Sequence, residues 1–186
     1  MFGSNVLKGV FLLARGKAVG IAEFGNSNDA LLASLAPLIA FPLVATVLIG
    51  LEGQPERAIE SFLSRLCVVL VVSVTTQALA SLVKREALWV RTATALNWSF
   101  WLIIPLLLLA GFVGAIMVSA GIPQMLAVYI LIAAMGAYLF WFNWFTVHCG
   151  LQVGVLTAIG IVVLTNTIVL LLSVAPLMID QAMARH

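Results

Sequence analysis

Apolar residues in this chain do not alternate with polar ones. They gather into long blocks broken by short polar stretches. A helix needs about 20 mainly apolar residues to cross a hydrocarbon core of about 30 Å. Five blocks meet that length, at about 31–51, 62–83, 93–118, 124–147 and 153–175. The punctuation between them fits helix ends. Asn26, Ser27, Asn28 and Asp29 offer side-chain oxygens to the first free amides of the first span. Pro37 and Pro42 lie within it and predict a bend, which membrane helices tolerate where neighbouring groups satisfy the freed carbonyls. Pro55, after Gly53 and Gln54, is suited to a first helical position. Glu56 and Glu60 then lie near the positive end of that helix dipole. Lys84, Arg85, Glu86 and Arg91 are expected to close the second span, and Ser119 to Pro123 the third. His148, Cys149, Gly150, Leu151 and Gln152 predict a tight turn between the fourth and the fifth.

Before the first block, Val6 to Phe24 mixes Val10, Phe11, Leu12 and Leu13 with Lys8, Arg15 and Lys17. It is too short and too charged to span. It reads as an interfacial helix on an anionic leaflet, or else as an ordinary cytoplasmic arm. The expected fold is an all-α membrane protein, a bundle of five transmembrane helices with an N-terminal interfacial helix. Residues 1–30 form the cytoplasmic or interfacial arm, 31–175 the transmembrane domain, and 176–186 a short external tail.

Composition strengthens the membrane reading. The chain has 186 residues, 63% hydrophobic and 9% charged, with a mean hydropathy of +1.19. Soluble domains carry roughly 25% charged residues, so this material cannot build a water-facing surface. A net charge of +2 gives no reason to expect nucleic acid. Cys67 and Cys149 lack paired spacing and are expected near opposite faces of the membrane, which argues against a disulfide or zinc framework. The apolar run Val10 to Ala14 is short and followed by Arg15 and Lys17, so a cleavable signal peptide is not expected.

Lys and Arg in short loops tend to stay cytoplasmic. With the N-terminus inside, the inner segments hold Lys8, Arg15, Lys17, Lys84, Arg85 and Arg91, and the outer ones Arg57, Arg65 and Arg185. The expected placement is a bacterial cytoplasmic (inner) membrane, with the N-terminus cytoplasmic and the C-terminus external.

That topology sets Asn97, Trp98 and Trp101 at a similar depth to Asn143, Trp144 and His148. These six residues are the candidate interfacial site, with stacking aromatics and amides that both donate and accept. Interfacial Trp enrichment and interhelical Asn hydrogen bonding would also account for them. His148 has no chelating partner at suitable spacing, so no metal or other cofactor is expected. Arg65 is the charge set deepest in a span. It either snorkels to the headgroups or pairs with Asp180 or Glu60. Asn166, the deepest amide, should face another helix or a partner, and Gly150 and Gly154 have the GxxxG spacing that allows close helix approach. No Asp, Glu or Lys falls at a predicted midplane, and GxSxG, HExxH and phosphate-loop patterns are missing.

A cytoplasmic arm, five closely spaced spans and a short external tail resemble the Yip1-type membrane proteins. The stretch Arg91, Thr92, Ala93, Thr94, Ala95, Leu96, Asn97, Trp98, Ser99 also resembles the approach to the third span in small bacterial membrane proteins. The likeness covers about 31–175. It implies a non-enzymatic membrane organiser and carries over no functional residue. The expected function is therefore a membrane scaffold, organiser or accessory subunit without catalytic activity. Its expected partners are the lipid bilayer and either a membrane protein or a second copy of the chain. The alternatives are a small transporter or transporter component and, further off, a lipid-acting enzyme.

Overall fold

A computed structural model describes residues 3–53 and 55–183, with side chains described for 6–174 apart from Gln54 and Arg57. Among the described residues the chain is helical and contains no strand. The helices are α1 (Gly3–Ala14), α2 (Asn28–Leu51), α3 (Pro55–Leu82), α4 (Glu86–Trp98), α5 (Ile103–Ser119), α6 (Gln124–Leu151) and α7 (Val155–Met183). Five rods within them are long and apolar enough to cross a membrane: Asn28–Leu51, Ala58–Leu82, Glu86–Ser119, Gln124–Leu151 and Val155–Val174. This is a multi-pass membrane protein.

Local chemistry explains most boundaries. Ser27 caps α2, its hydroxyl accepting from the Ala30 amide at 3.2 Å. Pro37 and Pro42 lie within α2 without breaking it, and Thr46 donates its hydroxyl to the Pro42 carbonyl at 2.8 Å. The third rod consists of α4 and α5 joined by a 3₁₀ turn, Ser99–Leu102. Pro105 falls in the first turn of α5, where a missing amide hydrogen disrupts least.

Two boundaries differ from the sequence expectation. Glu86 and Arg91 belong to α4 and not to a loop, because the turn is confined to Val83–Arg85, with Lys84 in the left-handed region at φ 56°. His148, Cys149, Gly150 and Leu151 are likewise the last turn of α6. The reversal is made by Gln152, Val153 and Gly154, with Gln152 at φ 53° ending the helix.

Packing is uneven along the bundle axis. At one end, called the base, α4 lies against α2, α3 and α6, and α7 lies between α3 and α6. A core of Ala80, Val147, Leu151, Ala158, Ile161 and Val162 fills this end. Thr92 and Thr94 are buried on α4 with their hydroxyls returned to their own helix. Thr92 donates to the Leu88 carbonyl at 2.9 Å and Thr94 to the Val90 carbonyl at 2.8 Å. Toward the far end the third rod leaves the group, and α5 packs mainly against α6.

The N-terminal segment is two pieces folded back on each other. A 3₁₀ segment, Ala18–Glu23, follows α1 and lies so close that a Cβ on Gly20 would stand 2.8 Å from the Gly9 carbonyl oxygen. Val10, Leu13 and Phe24 are buried with Ala95 of α4 and Phe142 of α6. Tyr138 donates its hydroxyl to the Ala14 carbonyl at 2.8 Å, and Lys8 pairs with Glu23 at 2.6 Å. The N-terminal segment therefore packs on the side of the bundle, against the Ala95–Leu102 stretch of the third rod and the Tyr138–Phe145 stretch of α6.

Candidate functional site: a blind cavity among the spans

Close packing at the base and divergence above it leave a cavity of about 680 Å³, to which all five spans contribute. Its size falls within the range of about 300–1,000 Å³ usual for small-molecule sites. On α3 the wall is Arg65, Val68, Val69, Val72 and Thr76, a succession of i+3 and i+4 steps that forms one helix face. On α7 the same spacing presents Ile161, Val162, Thr165, Asn166, Val169 and Ser173. Leu38, Phe41 and Pro42 come from α2, Leu96 and Asn97 from α4, and Asn143 and Val147 from α6.

One side-chain contact bridges two helices at the base end of the cavity. Thr76 donates to the Val72 carbonyl at 2.7 Å and accepts from the Trp89 indole at 3.3 Å, joining α3 to α4 beneath the cavity. From Thr76 to Arg65 the α3 wall rises about 16 Å at about 1.5 Å per residue. Arg65 is thus about 10 Å along the helix from Ala58, the start of the membrane-length segment. Its side chain lines the cavity beside Ser64. Asp180, named with it as an ion pair, lies outside the residues whose side chains are described.

Polar groups form a belt midway up. Asn97 is buried, and its amide donates to the Ser34 hydroxyl of α2 at 3.0 Å, while Ser34 donates to the Leu31 carbonyl at 2.6 Å. Asn143 reaches the same cavity from α6. Thr165 and Asn166 sit at the middle of the Val155–Val174 span. The Asn166 amide donates to the Val162 carbonyl at 2.9 Å, and the residue is exposed along the cavity. Thr165 is 8% exposed, and its hydroxyl has no hydrogen-bond partner among the described residues.

The six residues of the expected interfacial layer separate into four places. Asn97 and Asn143 meet in the cavity. Trp98 packs instead with the α1 cluster, and Trp101 lies edge-on to Phe41 at 5.9 Å. Trp144 and His148, one turn apart, stack at 5.7 Å and face the reversal into α7. There His148 Nδ1 is 2.7 Å from the Val153 carbonyl, and the Trp144 indole donates to the Val155 carbonyl at 3.3 Å.

The glycine pair also separates. A Cβ on Gly150 would stand 2.8 Å from Thr92 Cγ2, so this glycine lets α6 meet α4, whereas Gly154 lies in the turn with no comparable neighbour. Ser34 and Phe41 carry no distinctive sequence signal. The i, i+4 pairing of Asn143 with Val147, set against Trp144 with His148, did contain the division of faces. Among the described residues no group of three His, Cys, Asp or Glu side chains could hold a metal ion. No family model, curated protein or solved structure matches the chain.

Proposed function

We propose that this chain is a non-catalytic membrane protein that holds a ligand among its spans, as a small transporter or a transporter component. The cavity lined by all five spans carries this reading. It is too short along the axis for a partner helix, which needs about 30 Å to cross, yet it has the volume of a small-molecule site. Its walls combine apolar surface with a few convergent polar groups, Arg65, Asn97, Asn143 and Thr165, the mixture that orients a bound molecule. The test is native mass spectrometry of protein extracted in mild detergent and of a Val169→Trp variant, whose indole would occupy the cavity. A non-protein mass retained by the native chain and absent from the variant supports the reading. Identical spectra, with no bound mass in either, would remove it.

A scaffold or accessory-subunit role is the second reading. It is favoured by α5, which rests mainly on α6 and exposes Leu107, Leu108, Leu109 and Phe112. That face would seat a membrane-protein partner or a second copy. Tryptophan substitution at Leu108 and Phe112 should then change the migration of the complex on native gels. The base, with Lys84 and Arg85, and the N-terminal segment, with Lys8, Arg15 and Lys17, are proposed to face the cytoplasm across a bacterial inner membrane. α1, with Leu7 and Phe11 exposed, and the 3₁₀ segment after it, with Val19 exposed, would lie at the headgroups as an interfacial element. A Yip1-type relationship is compatible with this topology.

A further inference from the structure

From the charge of the same cavity and its one buried hydroxyl without a partner among the described residues, that of Thr165, we infer that its ligand is an acidic amphiphile. Its carboxylate or phosphate head would sit at Arg65, and its hydrocarbon chain would run down toward Thr76. This inference rests on the ligand-holding reading above and adds the chemical class.

Charge complementarity comes first. Among the described residues the lining contains one cation, Arg65, and no Asp or Glu. Arg65 is exposed and lies about 10 Å inside its span, and a guanidinium presents a fixed fork of donors that matches carboxylate and phosphate oxygens. Ser64 lies beside it and can add a hydroxyl donor.

Below Arg65 the α3 face is apolar, with Val68, Val69 and Val72 across the cavity from Val162 and Val169, while the uncharged Asn97, Asn143 and Thr165 supply the polar groups lower down. The length of the α3 face, about 16 Å, suits an extended chain. The Thr165 hydroxyl is an independent indication. More than nine-tenths buried and without a partner among the described residues, it borders the cavity at mid-membrane, where an unsatisfied hydroxyl is costly. A ligand with one polar group or unsaturation part-way along its chain would answer it.

Both free fatty acids and phosphate-bearing lysolipids have this chemistry. The test uses the full chain in phosphatidylcholine nanodiscs and measures binding of oleate, oleoyl lysophosphatidate, oleyl alcohol and inorganic phosphate. Oleate or lysophosphatidate should bind at least tenfold more tightly than oleyl alcohol, with the tighter of the two identifying the source of the head. Inorganic phosphate should not bind.

Arg65→Gln should abolish the preference for acid over alcohol while leaving alcohol binding within about twofold, and Arg65→Lys should restore part of the preference. Because alcohol binding reports that the variant is folded, loss of acid binding alone cannot be ascribed to misfolding. Equal affinity of the native protein for acid and alcohol overturns the acidic-head assignment and leaves the ligand-holding reading standing. An unchanged acid preference in Arg65→Gln likewise overturns the role of Arg65. Failure of all three oleyl probes to bind overturns both.

Discussion

Asn97 and Ser34 are joined across two spans by one hydrogen bond in a setting with little water to replace it. Hydrogen bonds of this kind between membrane helices average about 0.6 kcal/mol and reach about 1.7 kcal/mol in double-mutant cycles. Asn97→Ala and Ser34→Ala should each lower the unfolding free energy in detergent, and the double variant should lose less than the sum of the two. The coupling is expected at about 0.5–1.5 kcal/mol. Strictly additive losses would show that the contact contributes nothing. Gly150 has a different constraint, because a methyl group there runs into Thr92. Gly150→Ala should cost about 1–3 kcal/mol through overpacking, and Thr92→Ala in the same chain should recover part of it. Absence of any recovery in the thermal midpoint would mean that α4 and α6 do not meet at this point.

At the scale of the element, hydropathy reports where lipid begins and ends, whereas hydrogen bonding decides where a helix begins and ends. The five spans were therefore legible as apolar blocks, while their ends were not. Glu86 and Arg91 extend α4, and His148 extends α6, because a helix continues past the hydrocarbon boundary until a residue such as Lys84 or Gln152 takes a positive φ. Faces were harder to read than ends. Asn97 and Asn143 line one cavity, but a segment that is apolar all round carries little signal about which side meets a neighbour. Trp144 and His148 accordingly point to the α6–α7 reversal, and Ser34 could not be anticipated. Docking of α1 was hidden for the same reason: its few apolar residues suit a membrane surface and a protein groove equally well. Leu13, fully buried in that groove, distinguishes the two. Leu13→Asp should abolish hydrogen-exchange protection across residues 6–14 while leaving the spans protected. Leu7→Asp, at a position 59% exposed, should leave that protection intact. Equal loss in both variants would show that α1 is held by the bilayer and not by the bundle.

For the molecule as a whole, orientation decides which leaflet can supply the cavity. Lys84 and Arg85 lie in the α3–α4 turn at the base. Basic residues flanking short loops favour retention in the cytoplasm, which directs the opposite end, with the α5–α6 turn at Ala120, outward. In a chain whose two cysteines are replaced, Arg85→Cys should react with a membrane-impermeant maleimide only after cells are permeabilised, and Ala120→Cys should react in intact cells. The reversed pattern would invert the topology, and labelling of both sites in intact cells would remove the spanning arrangement between them. Because Arg65 lies on the half of α3 away from the base, outward placement of Ala120 would put the charged end of the cavity within reach of the outer leaflet. A ligand held there would exchange with lipid on that side, and the Trp89–Thr76 contact would lie between it and the cytoplasm. For a transporter component, parting that contact would be the required conformational step, so weakening it with Trp89→Phe should speed ligand exchange to the cytoplasmic side without changing affinity by more than about twofold.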